Sequence, residues 1–287
     1  RIAKAVERVL AELQSAKKPV MLLGGGVRLS NQVNTMRELT DFLRLPVVTT
    51  WGGIDFFESE YPLYGGNIGR TGNKSAVQMV QASDLLLALG VRFTTKEIID
   101  EKKFAERAKI IAVDIDRGEL EEGLINPAEK LQFDLKVFVP KLLKVAREKS
   151  LRLEHIEPWR KEMQDMKAKW YTIDMTRPET ADRYVSPYHF GEALSEAMGP
   201  EDILVADCGV NLMWMAQSFK VKRGQRFLSA WGCSPMSYAF PASIGVHLAR
   251  PNAKVAVTIG DGAMLMNSQE LQTVVFNKVP LKIFVVN

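Results

Sequence analysis

Cysteine is nearly missing from this chain. Two in 287 residues, Cys208 and Cys233, make no disulfide framework and no metal knuckle. Long apolar runs are missing too: no stretch approaches the roughly 18 to 20 uninterrupted apolar residues that a membrane-spanning helix needs. The chain opens on Arg1-Ile-Ala-Lys-Ala-Val-Glu, an amphipathic helical pattern without the apolar centre of a secretory signal. A cytoplasmic location with no membrane partner is therefore expected. Charge of one sign is not in large excess, since 38 Lys and Arg face 34 Asp and Glu. The densest basic group, Lys220-Val-Lys-Arg223, has no aromatic stripe beside it, so it reads as a solvated loop and no nucleic acid is expected as a partner. An initiator methionine is also lacking, so residue 1 reads as lying inside a longer protein.

What is present is an ordinary globular balance, 46% apolar and 25% charged, in a chain long enough for two domains. In the first block, helical patterns alternate with short apolar runs: Pro19-Val-Met-Leu-Leu23 closed by Gly24-Gly25-Gly26, then Pro46 to Thr50, Asp84 to Leu89 and Lys109 to Val113. Such runs predict parallel strands covered on both faces by helices, which include Ile2 to about Ala16, Asn34 to Leu43, Asn73 to Gln81 and Val137 to Arg147. From about 148 the pattern decays into charge, Trp and Pro, including Arg177-Pro-Glu-Thr, and reads as a connector in which the tryptophans pin a surface segment.

The second block starts at Ser186-Pro187, the signature of a helix start. Strands are expected at Ile203 to Ala206, Arg226 to Ala230, Val255 to Ile259 and Leu281 to Val286, with helices at Asn211 to Phe219, Met236 to Leu248 and Ser268 to Phe276. Asn267-Ser-Gln-Glu270 has the spacing of a capping box for that last helix. A parallel strand is a central element, so a chain stopping at Asn287 reads as an incomplete domain. The expected class is α/β, with two three-layer domains of mainly parallel sheet at residues 1–150 and 184–287 and a connector at 151–183.

Gly260-Asp261-Gly262 stands where the strand Val255 to Ile259 ends. Open parallel sheets bind ligands beyond the carboxyl ends of their strands. The glycines permit close backbone approach to a ligand, and a carboxylate serves a phosphate only through a divalent cation. Magnesium suits such a site, with Asp261 as ligand and Asn287, at the next strand end, able to offer an amide oxygen. A plain Gly-Asp-Gly turn stands beside that reading as its alternative.

Gly260-Asp261-Gly262 with Asn287 after the following strand resembles the thiamine diphosphate-binding motif. Gly232-Cys-Ser-Pro-Met-Ser-Tyr-Ala-Phe-Pro-Ala-Ser-Ile-Gly245 is similar to the segment that meets the cofactor's aminopyrimidine. Gly65 to Asn73, Ala82 to Phe93 and Val113-Asp-Ile-Asp116 resemble the Rossmann-like central domain of the same enzymes, in their acetolactate synthase-like group. The resemblance covers essentially the whole chain. It implies that Asp261 is the metal ligand, that Gly260, Gly262 and Ala263 meet the diphosphate by their backbone, and that Asn287 is the motif's first asparagine. It implies that Met236 props a bent cofactor and that the main chain at Ser234 faces the exocyclic amine. Gly209 and Asn211 match a loop on the diphosphate, although Val210-Asn211 stands where the synthases usually have Gln-His. No catalytic residue is assigned, because the activating glutamate is expected in an amino-terminal pyrimidine-binding domain of a neighbouring subunit. Flavin (FAD) is raised by Arg92 and disfavoured by Ile68-Gly-Arg70, which replaces the synthases' Met-His pair; Asp114 and Asp116 either receive a ribose or cap a turn. A nicotinamide site fits less well, since Gly24-Gly-Gly26 lacks the third spaced glycine.

The resemblance implies a thiamine diphosphate- and Mg2+-dependent lyase or transferase acting on a 2-keto acid, as a homodimer or homotetramer. The alternatives are another carbon–carbon specificity in carbohydrate metabolism, a cofactor-binding module without turnover, or a scaffold. The 287 residues alone are expected to be inactive, since one half of the cofactor's envelope is lacking.

Overall fold

The computed structural model describes residues 1–171 and 184–287. Two compact units divide the chain, Arg1–Phe56 with Tyr61–Thr172, and Phe57–Glu60 with Ile173–Asn287.

The first unit contains α1 (Ile2–Ser15), β1 (Pro19–Leu23), α2 (Gly26–Leu29), α3 (Val33–Leu43), β2 (Val47–Thr49), β3 (Tyr64–Asn67), α4 (Lys74–Ala82), β4 (Leu85–Leu89), β5 (Lys109–Asp114), α5 (Arg117–Glu122), β6 (Glu129–Gln132), α6 (Leu135–Glu148) and α7 (Glu157–Trp170). Its six strands lie in the order β3-β2-β1-β4-β5-β6, all parallel. The central strands β1 and β4 are Pro-Val-Met-Leu-Leu and Leu-Leu-Leu-Ala-Leu, and every one of these residues is buried, as a sheet covered on both faces requires. The helix α1 supplies cover through Val6, Val9, Leu10 and Leu13, one apolar stripe at helical spacing.

Two strands were not expected from the sequence. The edge strand β3 reads Tyr-Gly-Gly-Asn and the opposite edge, β6, reads Glu-Lys-Leu-Gln. Edge strands pair on one side only, so neither shows the apolar run that marks a central strand.

Residues 151–171, expected to begin a connector, lie in the first unit. The indole Nε1 of Trp159 donates to Pro19 O at 3.0 Å and the ring is buried. The buried guanidinium of Arg160 donates to Arg44 O at 2.7 Å and Leu153 O at 2.6 Å, and pairs with Glu157. These ties fix α7 against the mouth of β1, where mixed periodicity alone suggested a surface strap. The Arg177-Pro-Glu-Thr stretch lies outside the described residues.

The second unit contains α8 (Pro187–Ala197), β7 (Ile203–Ala206), α9 (Val210–Ser218), β8 (Arg226–Leu228), α10 (Ala239–Ala249), β9 (Val255–Gly260), α11 (Asp261–Met266), α12 (Glu270–Phe276) and β10 (Lys282–Val286). The sheet order is β10-β9-β7-β8, again parallel throughout. Phe240, Val205, Val257 and Ile259 centre its core.

Three local expectations are corrected here. Asp261 opens a short helix rather than standing in a loop. The helix expected from Met236 starts at Ala239, so Met236 belongs to the preceding loop. The capping box does not form: α12 begins at Glu270 without a side-chain cap, and Asn267 accepts from Gln269 Nε2 at 3.2 Å through its Oδ1 while its Nδ2 donates to Ser237 O at 3.1 Å.

Truncating Trp159 to Ala is expected to destabilise the first unit by about 3–5 kcal/mol through the cavity it leaves. Trp159→Phe should cost only about 1 kcal/mol, the ordinary net value of the lost hydrogen bond. Urea unfolding of both variants checks the difference, and equal costs would show that the ring's volume contributes little.

Candidate functional site

In the second unit the chain goes from β7 outward to β8, then returns to the other side of β7 for β9 and β10. The direction of winding reverses between β7 and β9, which makes the gap beyond their carboxyl ends the place where an open sheet accepts a ligand. The register is explicit: Ala206 faces Thr258 and Val286 faces Gly260. Asp207-Cys208-Gly209, Gly260-Asp261 and Asn287 therefore emerge along one edge.

That edge is bare where a ligand would approach. A Cβ added at Gly209, Gly232 or Gly260 would meet no heavy atom within 4 Å. Gly209 has φ 85° and ψ −158°, a region that essentially glycine alone occupies, and it starts α9. In the first unit the corresponding reversal, between β1 and β4, is closed by backbone. There a Cβ on Gly24 would stand 2.0 Å from Gly90 O, and Gly26 N donates to the same oxygen at 3.1 Å.

The loop that leads to α10 leans over the second unit's edge. Met236 is 53% exposed, and its methyl lies 3.9 Å from the position of a Cβ on Gly262. Flanking it, Ser234 (φ 48°) and Ser237 (φ 66°) both hold the left-handed backbone that non-glycine residues avoid. Such residues cost of order 1–3 kcal/mol each and persist only where their surroundings over-determine them. At Ser237 the determinant is Asp207. Its carboxylate is fully buried and accepts from Ser237 N at 2.9 Å and from Ala239 N at 2.7 Å.

The expected site residues separate into two groups. Asp261 is exposed at the head of α11, Asn287 is exposed one residue beyond the Val286–Gly260 pair, and Met236, Gly209, Gly260 and Gly262 border the same edge. Ala263 follows in α11 with its side chain buried in the core, leaving its backbone for any contact. The N–H of Ser234 is taken by Ala230 O at 2.9 Å. Asn211 is buried: its amide nitrogen donates to Asp207 O at 3.3 Å and Thr258 O at 2.8 Å, while its Oδ1 has no hydrogen-bond partner. It ties the start of α9 to β9. Among the aromatics, Phe240 is core, Trp231 packs on Phe227 with centroids 5.5 Å apart, and Tyr238 is partly exposed.

A cation at Asp261 would have few protein ligands. Among the described residues no group of three or more His, Cys, Asp or Glu side chains could hold a metal ion. Magnesium keeps water and phosphate oxygens around one or two carboxylates, so a single exposed carboxylate is a fitting ligand for it. Buried oxygens with no hydrogen-bond partner, Asn211 Oδ1, Ser237 Oγ and Thr258 Oγ1, belong to residues that touch Asp207 or bond around it. The bare edge, the exposed carboxylate and the apolar Met236 fit a diphosphate cofactor with an organic ring.

In the first unit, Arg92 pairs with Glu119 at 2.7 Å. Asp116 caps α5 by accepting from Gly118 N at 2.7 Å. Asp114 accepts from Asp116 N, and burial pushes its carboxyl above the usual range. The groups that suggested a flavin are thus engaged in local turns and pairs.

Asp207 and Asn267 are functional candidates that sequence reasoning did not assign. The available signal for Asp207 was the one used for Asp261, a carboxylate immediately after an apolar strand. Asn267 was concealed by its apparent capping box.

Comparison with known proteins gives two matches to family models: "Thiamine pyrophosphate enzyme, central domain" over residues 6–142 and "Thiamine pyrophosphate enzyme, C-terminal TPP binding domain" over residues 207–287. The chain is 33% identical to the probable acetolactate synthase large subunit of Methanocaldococcus jannaschii, over 98% of this chain and 47% of that protein. It is 32% identical to the acetolactate synthase large subunit of Corynebacterium glutamicum, over 99% and 45%, and to the isozyme 1 large subunit of Escherichia coli, over 99% and 48%. The chain spans about half the length of these relatives. Among the described residues no helix is long and apolar enough to cross a membrane.

Gly209→Ala is expected to destabilise the second unit by about 1–3 kcal/mol although the added methyl has open space, because the cost is purely that of the backbone. Thermal or urea unfolding reads it. A neutral substitution would show that the start of α9 is not held in its glycine-only conformation.

Proposed function

The chain belongs to the thiamine pyrophosphate enzyme family, and from that premise we propose that its second unit holds the diphosphate half of thiamine diphosphate with Mg2+, in a protein that decarboxylates a 2-keto acid and passes the fragment to an acceptor. The observation that carries this reading is the exposed Asp261 at the bare edge where the sheet reverses direction.

In this reading the Asp261 carboxylate would be a ligand of the magnesium ion, whose charge would make a carboxylate compatible with a bound diphosphate. Asn287 adds an amide oxygen from the adjacent strand end. Gly209, Gly260 and Gly262 give the anion close backbone approach, and the N–H of Ala263 is the next along. Met236 supports the cofactor's ring side by shape, while Trp231 and Tyr238 lie in the same loop and limit water access. The bound cofactor supplies the electron sink for loss of carbon dioxide, and the protein supplies binding, orientation and a drier site. Asn211 ties α9 to β9 through its amide nitrogen, and its unpartnered Oδ1 keeps it among the proposed cofactor residues.

Flavin is left out of the reading, because Arg92 and Asp116 are engaged by Glu119 and by Gly118 N. The chain spans 47% of the length of the M. jannaschii protein, and the reading assigns turnover to a longer protein, proposed to act as a homo-oligomer. The choice of keto acid and acceptor belongs to that longer protein.

Calorimetry of the full-length protein with thiamine diphosphate and Mg2+ tests the site. Asp261→Ala is expected to abolish the magnesium-dependent binding, and affinity equal to the parent's would remove the assignment. Steady carbon dioxide release from a panel of 2-keto acids, absent without cofactor, tests the chemistry. The 287-residue chain by itself is expected to show none, and turnover by it would contradict the division of labour.

A further inference from the structure

We propose that Asp207 and Asn267 are positioning residues that clamp the Ser237 backbone at its N–H and its carbonyl and so hold Met236 over the site. The inference rests on the cofactor reading above for what Met236 supports, and on hydrogen bonds alone for the clamp itself.

Met236 sits between two serines, at 234 and 237, whose backbones are left-handed. A loop with that conformation relaxes unless it is tied, since neither residue is a glycine. The ties converge on Ser237. Its N–H donates to Asp207 Oδ1 at 2.9 Å, while the second carboxylate oxygen takes Ala239 N at 2.7 Å. Its carbonyl accepts from the Asn267 amide at 3.1 Å. Both polar groups of one peptide-bonded residue are thereby committed, one to the end of β7 and the other to the residue that closes α11.

The two anchors also flank the proposed metal ligand. Asp207 stands at the strand end beside β9, and Asn267 immediately follows the helix that Asp261 opens. The loop bearing Met236 is therefore fastened to both elements that carry the diphosphate contacts. A buried, charged acceptor is the effective choice for this duty, because bonds to an ionised group are stronger than neutral ones and two parallel N–H donors need two acceptor oxygens. Asparagine at 207 would replace one acceptor by a donor facing a donor. The carboxylate touches no reacting atom; its effect passes through the backbone of residues 237–239.

The test compares Asp207→Asn, Asn267→Ala and Asp202→Asn in the full-length protein. Asp202 is the control, a buried carboxylate of the same unit that also bonds two N–H groups, those of Gly199 and Lys254, away from the loop. Amide hydrogen exchange is read without cofactor, and affinity for thiamine diphosphate with Mg2+ is read by calorimetry. Asp207→Asn should speed exchange at Ser237 and Ala239 by at least about tenfold and weaken binding by at least about tenfold, while the β9 amides stay protected. Asn267→Ala should act in the same direction by a smaller factor, and it carries the test if Asp207→Asn fails to fold. Asp202→Asn should alter neither reading.

Unchanged exchange at Ser237 and Ala239 would overturn the clamp. Faster exchange with unchanged affinity would overturn its role in the site. If the parent protein did not bind thiamine diphosphate at all, the cofactor reading would fail and the positioning role with it, while exchange would still decide whether the two side chains hold the loop.

Discussion

The parallel pairing of β7 with β9 and of β9 with β10 is the constraint on which the rest of the second unit depends. Parallel pairing sends the carboxyl end of every strand to the same side, and the reversal of winding leaves a gap between two of them. Asp207 and Gly209 lie far in sequence from Asp261 and Asn287, and this one topological fact brings them to a common edge. The apolar strands that enforce it, Ile203–Ala206 and Val255–Gly260, are buried along nearly their whole length. A register shift of one residue would exchange their core and opposite faces and move every residue at the edge.

Two aspartates at neighbouring strand ends do opposite work because their surroundings differ. Asp207 is buried and satisfied by backbone N–H groups, so its charge is used within the fold. Asp261 is exposed at the bare edge, where its charge is available to a ligand. An ionised carboxylate is costly to bury unless paired or hydrogen-bonded, and the two N–H donors meet that condition at 207. The same amino acid after the same kind of strand becomes a scaffold in one place and a candidate ligand in the other.

Much of this was legible in the sequence, for physical reasons. Buried parallel strands must be apolar, so Pro19–Leu23, Leu85–Leu89 and Val255–Gly260 announced themselves, and with them the edge at which Asp261 stands. What the residues did not disclose depended on tertiary partners. Edge strands such as Glu129–Gln132 need no apolar run. The helix Glu157–Trp170 is fixed by Trp159 and Arg160 reaching backbone carbonyls far away in sequence. Asn267 satisfies a local capping pattern and spends its amide on a loop thirty residues away. Met236 reads as helical and instead lies in a loop bent by two left-handed serines. Family resemblance supplied roles where spacing could not.

In the proposed function the Asp261 carboxylate holds a hard cation against a diphosphate. Manganese is the most direct probe, since it replaces magnesium in oxygen-ligand sites and scatters anomalously. In crystals of the full-length protein soaked with Mn2+ and thiamine diphosphate, the account predicts an anomalous peak about 2.0–2.2 Å from an Asp261 oxygen and adjoining the diphosphate. A peak and diphosphate elsewhere, with Asp261 facing only solvent, would contradict it.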